Sequence, residues 1–442
     1  MILKKLLNLL VLSLLLIGCE KKEPLEGWEL ANKWSKMTLY LSKNTPANTP
    51  TYASRAIGYI GLTMYESVVK GFPGYASMEG QLNGLDGLPK IDTSFSYNWQ
   101  LAFNAGQSEI LRRIYMQTSD ANKVKIDSLE SLIDKNIETS DDAEFERSKK
   151  FGIDVAKAIF EWSKTDGGHR GYLHNFDKER NMDEFPGSWK PPLYAQSFSH
   201  HPLHPYWGEN RTFLKVNSEL EEPPYIAFNP KKGSAYYNQF LAVYDKERAL
   251  TQAEKEAAIW WGDDPDETFT PPGHSFYLTS LAVKQRKPSL IEAAEVFAKV
   301  GMSVADAFIN CWDWKYHFFS ERPNTFISKY IDEEWESFWP DPPFPAFPSG
   351  HAIQAAAAAT ILGDVFKGAI TIVDSSHFNR KRDDLRDVDF IPRTFNSFWE
   401  VALETADSRF YGGIHTPQDN AVGLEEGKRI ANNVNQLTWK ID

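Results

Sequence analysis

Helical spacing of apolar residues governs what this chain can fold into. Residues 52–70, 98–116, 120–137 and 141–164 each repeat apolar positions along one face, and the pattern returns at 251–262, 274–285, 289–320, 350–366, 395–411 and 417–437. Strand-like alternation is scarce, so the expected fold is mainly α, a helical bundle with long connections. Between the two groups lies a glycine-, proline- and aromatic-rich stretch, roughly 166–235, with turns such as Asp166-Gly167-Gly168 and Asn229-Pro230. It puts a division near 235–250, giving an N-terminal helical region, 28–240, and a C-terminal part, 241–442. At 442 residues the chain is long enough for a large core. Its 60 acidic against 48 basic residues, a formal net charge of −12, argue against a nucleic-acid partner.

The first residues read as a targeting segment. Lys4 and Lys5 precede an apolar stretch through Ile17, too short for a confident membrane span. The stretch ends Leu16-Ile17-Gly18-Cys19, which resembles the lipobox of bacterial lipoproteins. That resemblance implies a signal peptide over 1–18, a lipidated Cys19, and a polar tether over 19–27. The protein would then sit in the bacterial cell envelope, periplasmic or at the outer membrane or cell surface, held to the membrane by its lipid alone. Cleavage would remove two lysines and no acids, so the mature chain becomes two charges more negative. Cys311, the other cysteine, is expected to be a small buried apolar residue.

Three motifs carry the chemistry. The first is Lys315, six residues, then Arg322-Pro323. Seven residues is nearly two helical turns, which predicts that Lys315 and Arg322 share a face, with Pro323 putting Arg322 at a helix end. The second is Pro348-Ser349-Gly350-His351 before the alanine run 355–359. It predicts a helix with Ser349 as N-cap, unpaired first-turn amides facing an anion, and His351 in that turn as an acid or base. The third is Ser408-Arg409, His415 and Asp419. Gly412-Gly413 ends one helix just after Arg409, and Thr416-Pro417 starts the next. Asp419 is placed to bond one ring nitrogen of His415 and fix its tautomer.

The three blocks together, in this order and without a gap, resemble the phosphatidic acid phosphatase type 2 (PAP2)/haloperoxidase superfamily. Tyr411-Gly412-Gly413-Ile414-His415 is similar to its vanadium haloperoxidase branch. So are Asp306-Ala307 with Trp312, Trp314 and Tyr316, Thr270-Pro271-Pro272-Gly273-His274 after Trp260-Trp261-Gly262-Asp263, the segment Ala53–Glu66, and His204–Arg211. The resemblance spans about 45–437 and is strongest from 250 onward. It implies a vanadate cofactor, with hydrogen peroxide and halide as reactants. His415 would bond the vanadium, Lys315, Arg322 and Arg409 would neutralise its oxygens, Ser349 and the Gly350 amide would donate to it, and His351 would hold the apical oxygen and move protons. Phe344 falls where the family's chloroperoxidases resemble this chain. Ser320-Glu321 and Thr325-Phe326-Ile327 depart from the aromatic pair often found before the Arg-Pro. Asp263 is expected to pair with Arg409 as an orienting carboxylate, ahead of Asp264. The alternative in the same superfamily is a phosphatase acting on a phosphate ester: His415 attacks, Asp419 orients it, and His351 protonates the leaving oxygen.

Other clusters carry less. His200-His201 with His204 sits in a proline-rich loop without ligand spacing, and the acidic run 263–267 lacks an EF-hand's spacing and glycine. His317 points to another face than Lys315 and is expected to pack in the core or at the surface. Residues 379–384 balance their own charge and read as an exposed loop.

Overall fold

The computed structural model describes residues 25–177, 184–191, 201–265 and 267–441. The signal peptide, Cys19 and His200 lie outside them. Among the described residues there are thirteen α-helices and one two-stranded ribbon. In chain order the helices are α1 (Gly27–Asn44), α2 (Pro50–Glu66), α3 (Trp99–Ile114), α4 (Asp120–Asp134), α5 (Asp142–Ser163), α6 (Ala235–Glu247) and α7 (Gln252–Trp260). The rest are α8 (Thr270–Arg286), α9 (Leu290–Phe318), α10 (Pro323–Tyr330), α11 (Gly350–Val365), α12 (Phe398–Tyr411) and α13 (Pro417–Asn435). Strands β1 (Ile372–Asp374) and β2 (Arg393–Phe395) pair antiparallel, with Val373 opposite Thr394. None of the described helices is long and apolar enough to cross a membrane.

Every helix anticipated from the apolar spacing is present. Three were not anticipated: α1, at the edge of the expected tether, α6, across the expected division, and α10, a short helix directly after α9. The division at 240/241 falls inside α6, and the main hydrophobic cluster draws residues from both sides of it, from Leu30 to Trp439.

Helix α9 is the axis of the molecule. It is apolar on nearly every side, so it must be enclosed, and α2, α8, α11 and α13 pack around it. Its N-terminus is closed by a reciprocal capping box between Ser289 and Glu292. The alanines of α11 let that helix lie close to α9, α12 and α13. As a result the C-terminal ends of α9 and α12 and the N-terminal ends of α11 and α13 meet in one region.

Candidate active site: a cationic cradle at four helix ends

Lys315 lies in the last turn of α9, which stops at Phe319 in a left-handed conformation (φ 48°). The chain then reverses, and Arg322 becomes the N-cap of α10 with Pro323 at its first position. The two cations therefore do not share a helical face, as the seven-residue spacing suggested. The left-handed residue and the proline break the helix between them, and they converge by chain reversal. Lys315 Nζ donates to the carbonyls of Pro345 (3.0 Å), Ala346 (2.6 Å) and Pro348 (2.6 Å). It thus ties α9 to the segment entering α11. Burial lowers its pKa.

Arg322 donates to the carbonyls of Phe344 and Pro345, to Ile414 O (2.9 Å) and to His415 Nε2 (3.0 Å). Burial lowers its pKa to about 10, opposed by Asp341 and then Asp419, so it stays protonated at neutral pH. Asp341 is itself wholly buried, accepts no hydrogen bond among the described residues, and is pushed up to about 7 by burial despite Arg322. This carboxylate beside Arg322 was not foreseen; Asp341-Pro342-Pro343 carries no local signal for it.

Ser349 is the N-cap of α11, accepting from the Ala352 amide at 3.4 Å, and its own amide donates to Asp419 O at 3.0 Å. The cap uses a lone pair of the hydroxyl and leaves its proton free. Thr416 caps α13 in a reciprocal box with Asp419. Helices α11 and α13 touch through glycine: a Cβ on Gly427 would lie 2.1 Å from Ile353 O. That contact fixes His351 relative to His415.

Asp419 Oδ2 accepts from His415 Nδ1 (3.0 Å) and from the Thr416 amide (3.0 Å). Burial first, then Arg322, Lys315 and Arg409, hold the His415 pKa well below its ordinary value. The ring is therefore neutral, with its proton on Nδ1 and a lone pair on Nε2 facing Arg322. A lone pair so oriented is what a metal ligand or a nucleophile at this position requires.

Arg409 lies in the last turn of α12, before Gly412 and the left-handed Gly413 (φ 72°). Its Nε donates to Ser408 Oγ (3.0 Å) and its Nη2 to Ala258 O, while Nη1 is buried without a partner among the described residues. Burial lowers its pKa to about 10, opposed by Asp264 first and Asp263 second. Asp263 does not orient Arg409 as expected: His274 and His377 occupy both of its carboxylate oxygens. Asp264 acts on Arg409 more strongly than Asp263 does, and burial raises its own pKa to about 7 despite Arg409. His351 is held well below its ordinary pKa by burial and by Arg409, and its Nε2 is also buried without a partner among the described residues.

A cavity of about 380 Å³ opens onto Gly350, His351 and His415. Asp263 and Asp264 line one wall; Trp312, Phe308 and Phe344 line another, joined from the N-terminal region by Asn48 and Leu203. Phe344 packs on Trp312 with ring centroids 4.9 Å apart, and Lys315 and Arg322 each lie 5.3 Å from its centroid. Two orphaned polar atoms, Arg409 Nη1 and His351 Nε2, together with the Ser349 hydroxyl, the first-turn amides of α11 and three buried cations, fit a tetrahedral oxyanion. The structure thus brings together every motif residue expected in the site. Of the others, Cys311 is buried with Sγ 3.6 Å from Pro348 O, and His317 is exposed and pairs with Glu222 (3.3 Å).

Fold and site together define a helical-bundle protein with a preorganised oxyanion cradle. Residues 295–441 match the family model described as the VCPO second helical-bundle domain. The vanadium chloroperoxidase of Curvularia inaequalis is 25% identical over 288 residues, 50% of this chain and 46% of that protein, so the match spans about half of the relative's length. Among solved structures, one described as the first bacterial vanadium-dependent iodoperoxidase has a TM-score of 0.80 at 27% identity, covering 93% of this chain and 97% of that one. An apo-type bacterial vanadium-dependent chloroperoxidase shares the fold, with a TM-score of 0.66 at 14% identity over 89% and 94%. The chain is thus similar to vanadium haloperoxidases, in sequence over its C-terminal helical bundle and in fold over most of its length.

Proposed function

We propose that this protein is a vanadate-dependent haloperoxidase that uses hydrogen peroxide to oxidise halide to a hypohalous species. The observation that carries the reading is the state of His415: neutral, its proton fixed on Nδ1 by Asp419, its Nε2 lone pair set among three buried cations in a fold shared with vanadium haloperoxidases. His415 Nε2 would hold vanadate, and Lys315, Arg322, Arg409, Ser349 and the Gly350 amide would hold its oxygens. Vanadate so held supplies a Lewis-acidic centre that activates peroxide without changing its own oxidation state.

The chain's own residues do the rest. The cations place fixed positive charge where negative charge would otherwise oppose halide attack. Arg322 would have to give up its contact with His415 Nε2 for that nitrogen to hold an oxyanion. His351, neutral and with Nε2 unpaired, is the base positioned to take a proton from peroxide; an anion in the cradle raises its pKa toward that task. The Trp312–Phe344 wall gives halide an apolar approach.

The test is peroxide-dependent halogenation of a phenol dye with iodide, bromide or chloride, with and without added vanadate. Vanadate-dependent turnover is expected. Hydrolysis of p-nitrophenyl phosphate without any halide oxidation would refute the reading in favour of the phosphatase. The lipobox-like sequence supports a further part of the proposal, a lipid anchor in the cell envelope. Cys19→Ala should then move the full chain from the membrane to the soluble fraction, and unchanged partition would refute the anchor.

A further inference from the structure

From Asp263 in the acidic wall of the cavity, four ionisable side chains form a buried chain leading away from it. His274 Nδ1 meets Asp263 Oδ2 at 2.8 Å, His274 Nε2 meets Asp374 Oδ2 at 2.7 Å, and His377 Nε2 meets Asp263 Oδ1 at 2.9 Å. All four residues are at most 3% exposed. Ionised carboxylates only accept hydrogen bonds, and carboxylates face both nitrogens of His274, so this ring carries two protons. Asp374 also accepts from Trp260 Nε1 (2.8 Å) and the Ser376 amide (2.9 Å), so it stays ionised. Burial works against an imidazolium, yet Asp263 and Asp374 hold the His274 pKa up to about 10.

Asp263, His274 and His377 also bring donor atoms within 4.8 Å of one another, a composition used by some metal sites. Their contacts, however, are hydrogen-bond lengths. Ligands around a tetrahedral ion at about 2.0–2.1 Å stand roughly 3.3 Å apart. The contacts therefore favour an ion-paired chain.

The chain grips a strained segment. Asp263 (φ 50°) and Thr270 (φ 70°) are both left-handed, and such residues persist only where their surroundings over-determine them. Two residues before Asp263, the Trp261 carbonyl lies within reach of the His351 ring and favours its protonated form. Among the described residues His351 Nε2 has no partner, so the ring meets Trp261 through Nδ1. One residue after Asp263, Asp264 is the main carboxylate acting on Arg409.

We propose that Asp374, His274, Asp263 and His377 are positioning residues: they lock the 261–264 backbone, which holds His351 in the tautomer with Nε2 free and sets Arg409 against Asp264. The effect on catalysis rests on the haloperoxidase reading; the positioning does not.

Histidine-selective ¹⁵N NMR of the full chain without vanadate tests it, alongside metal analysis of the purified protein. His274 should be doubly protonated at pH 8, and His351 should show one tautomer, protonated on Nδ1. In His274→Gln and Asp374→Asn, His351 should populate both tautomers, orthovanadate should bind about tenfold more weakly, and the pH–rate profile should shift. His377→Gln, which loses a single bond, should show the same changes in smaller degree and serves if the first two do not fold. A singly protonated His274 at pH 8, a His351 tautomer unmoved in the variants, or one equivalent of divalent metal lost in His274→Gln would each overturn the proposal. If the wild type shows the expected NMR signature but oxidises no halide, the function reading falls and the positioning role stands.

Discussion

Gly427→Ala is a small change whose sign and size follow from the packing of α13 on α11. Alanine in a helix interior is favoured over glycine by about 1 kcal/mol, so propensity alone would stabilise the protein. The new Cβ would sit 2.1 Å from Ile353 O and 2.9 Å from Ile353 C, where real Cβ contacts stay above 3.0 Å. A backbone carbonyl inside α11 cannot rotate away, so the helices must part by roughly 1 Å, an overpacking that costs about 1–3 kcal/mol. The net loss is therefore modest. In a chain of 442 residues, 1 kcal/mol moves Tm by only about 1 °C. The functional effect is larger, because α11 carries Ser349 and His351 while α13 fixes His415 and Asp419, and a misplacement of about 1 Å can lower activity about 100-fold. Gly363→Ala, an exposed position on α11 with nothing within 4 Å of its Cβ, is the control and should be neutral or stabilising by about 0.5–1 kcal/mol. Calorimetric titration with orthovanadate, thermal melts and halide-oxidation rates on both variants check this. A Gly427→Ala protein with wild-type vanadate affinity and activity would refute the claim that this crossing sets the cradle.

Arg409→Lys keeps the charge but loses the anchored fork to Ser408 Oγ and Ala258 O; vanadate affinity should fall about 10- to 100-fold by titration, the value of one charge-assisted hydrogen bond. Ser349→Ala removes a helix cap and a free hydroxyl proton, so unfolding free energy should drop by about 1 kcal/mol and vanadate affinity should weaken with it, read by denaturant melts and titration. His274 binds its proton more tightly in the folded protein (about 10) than at its ordinary value of 6.5. The stability it contributes is therefore complete below about pH 6.5 and is lost as pH rises toward 10; Tm should fall across that window, and His274→Gln should flatten the slope.

Local signals in the sequence were enough to locate most of the site. Ser349 and Thr416-Pro417 announce helix starts, and Gly412-Gly413 announces a stop, because caps and breaks are decided within a few residues. The apolar spacing marks α9 and α11 for the same reason. What depends on distant partners was not legible. Lys315 and Arg322 meet through a left-handed Phe319, a residue with no glycine signal, so their spacing suggested a shared face that does not exist. Asp263 was read toward Arg409, but His274 and His377, 11 and 114 residues away, claim it first. The carbonyls of Pro345, Ala346 and Pro348 that hold Lys315 leave no mark in side-chain identity. Helices α1 and α6 lie at boundaries the composition marks, and α10 is only eight residues long, so apolar spacing does not reveal them.

Binding of orthovanadate to the full chain, wild type against His415→Ala, tests the central claim most directly, with calorimetry giving stoichiometry and ⁵¹V NMR reporting the bound ion. One site per chain in the wild type, with no measurable binding in the variant and an unchanged melting profile, is the expected result. Equal binding in the two proteins, or none in the wild type, would contradict the assignment of His415 Nε2 as the atom around which the cradle is built.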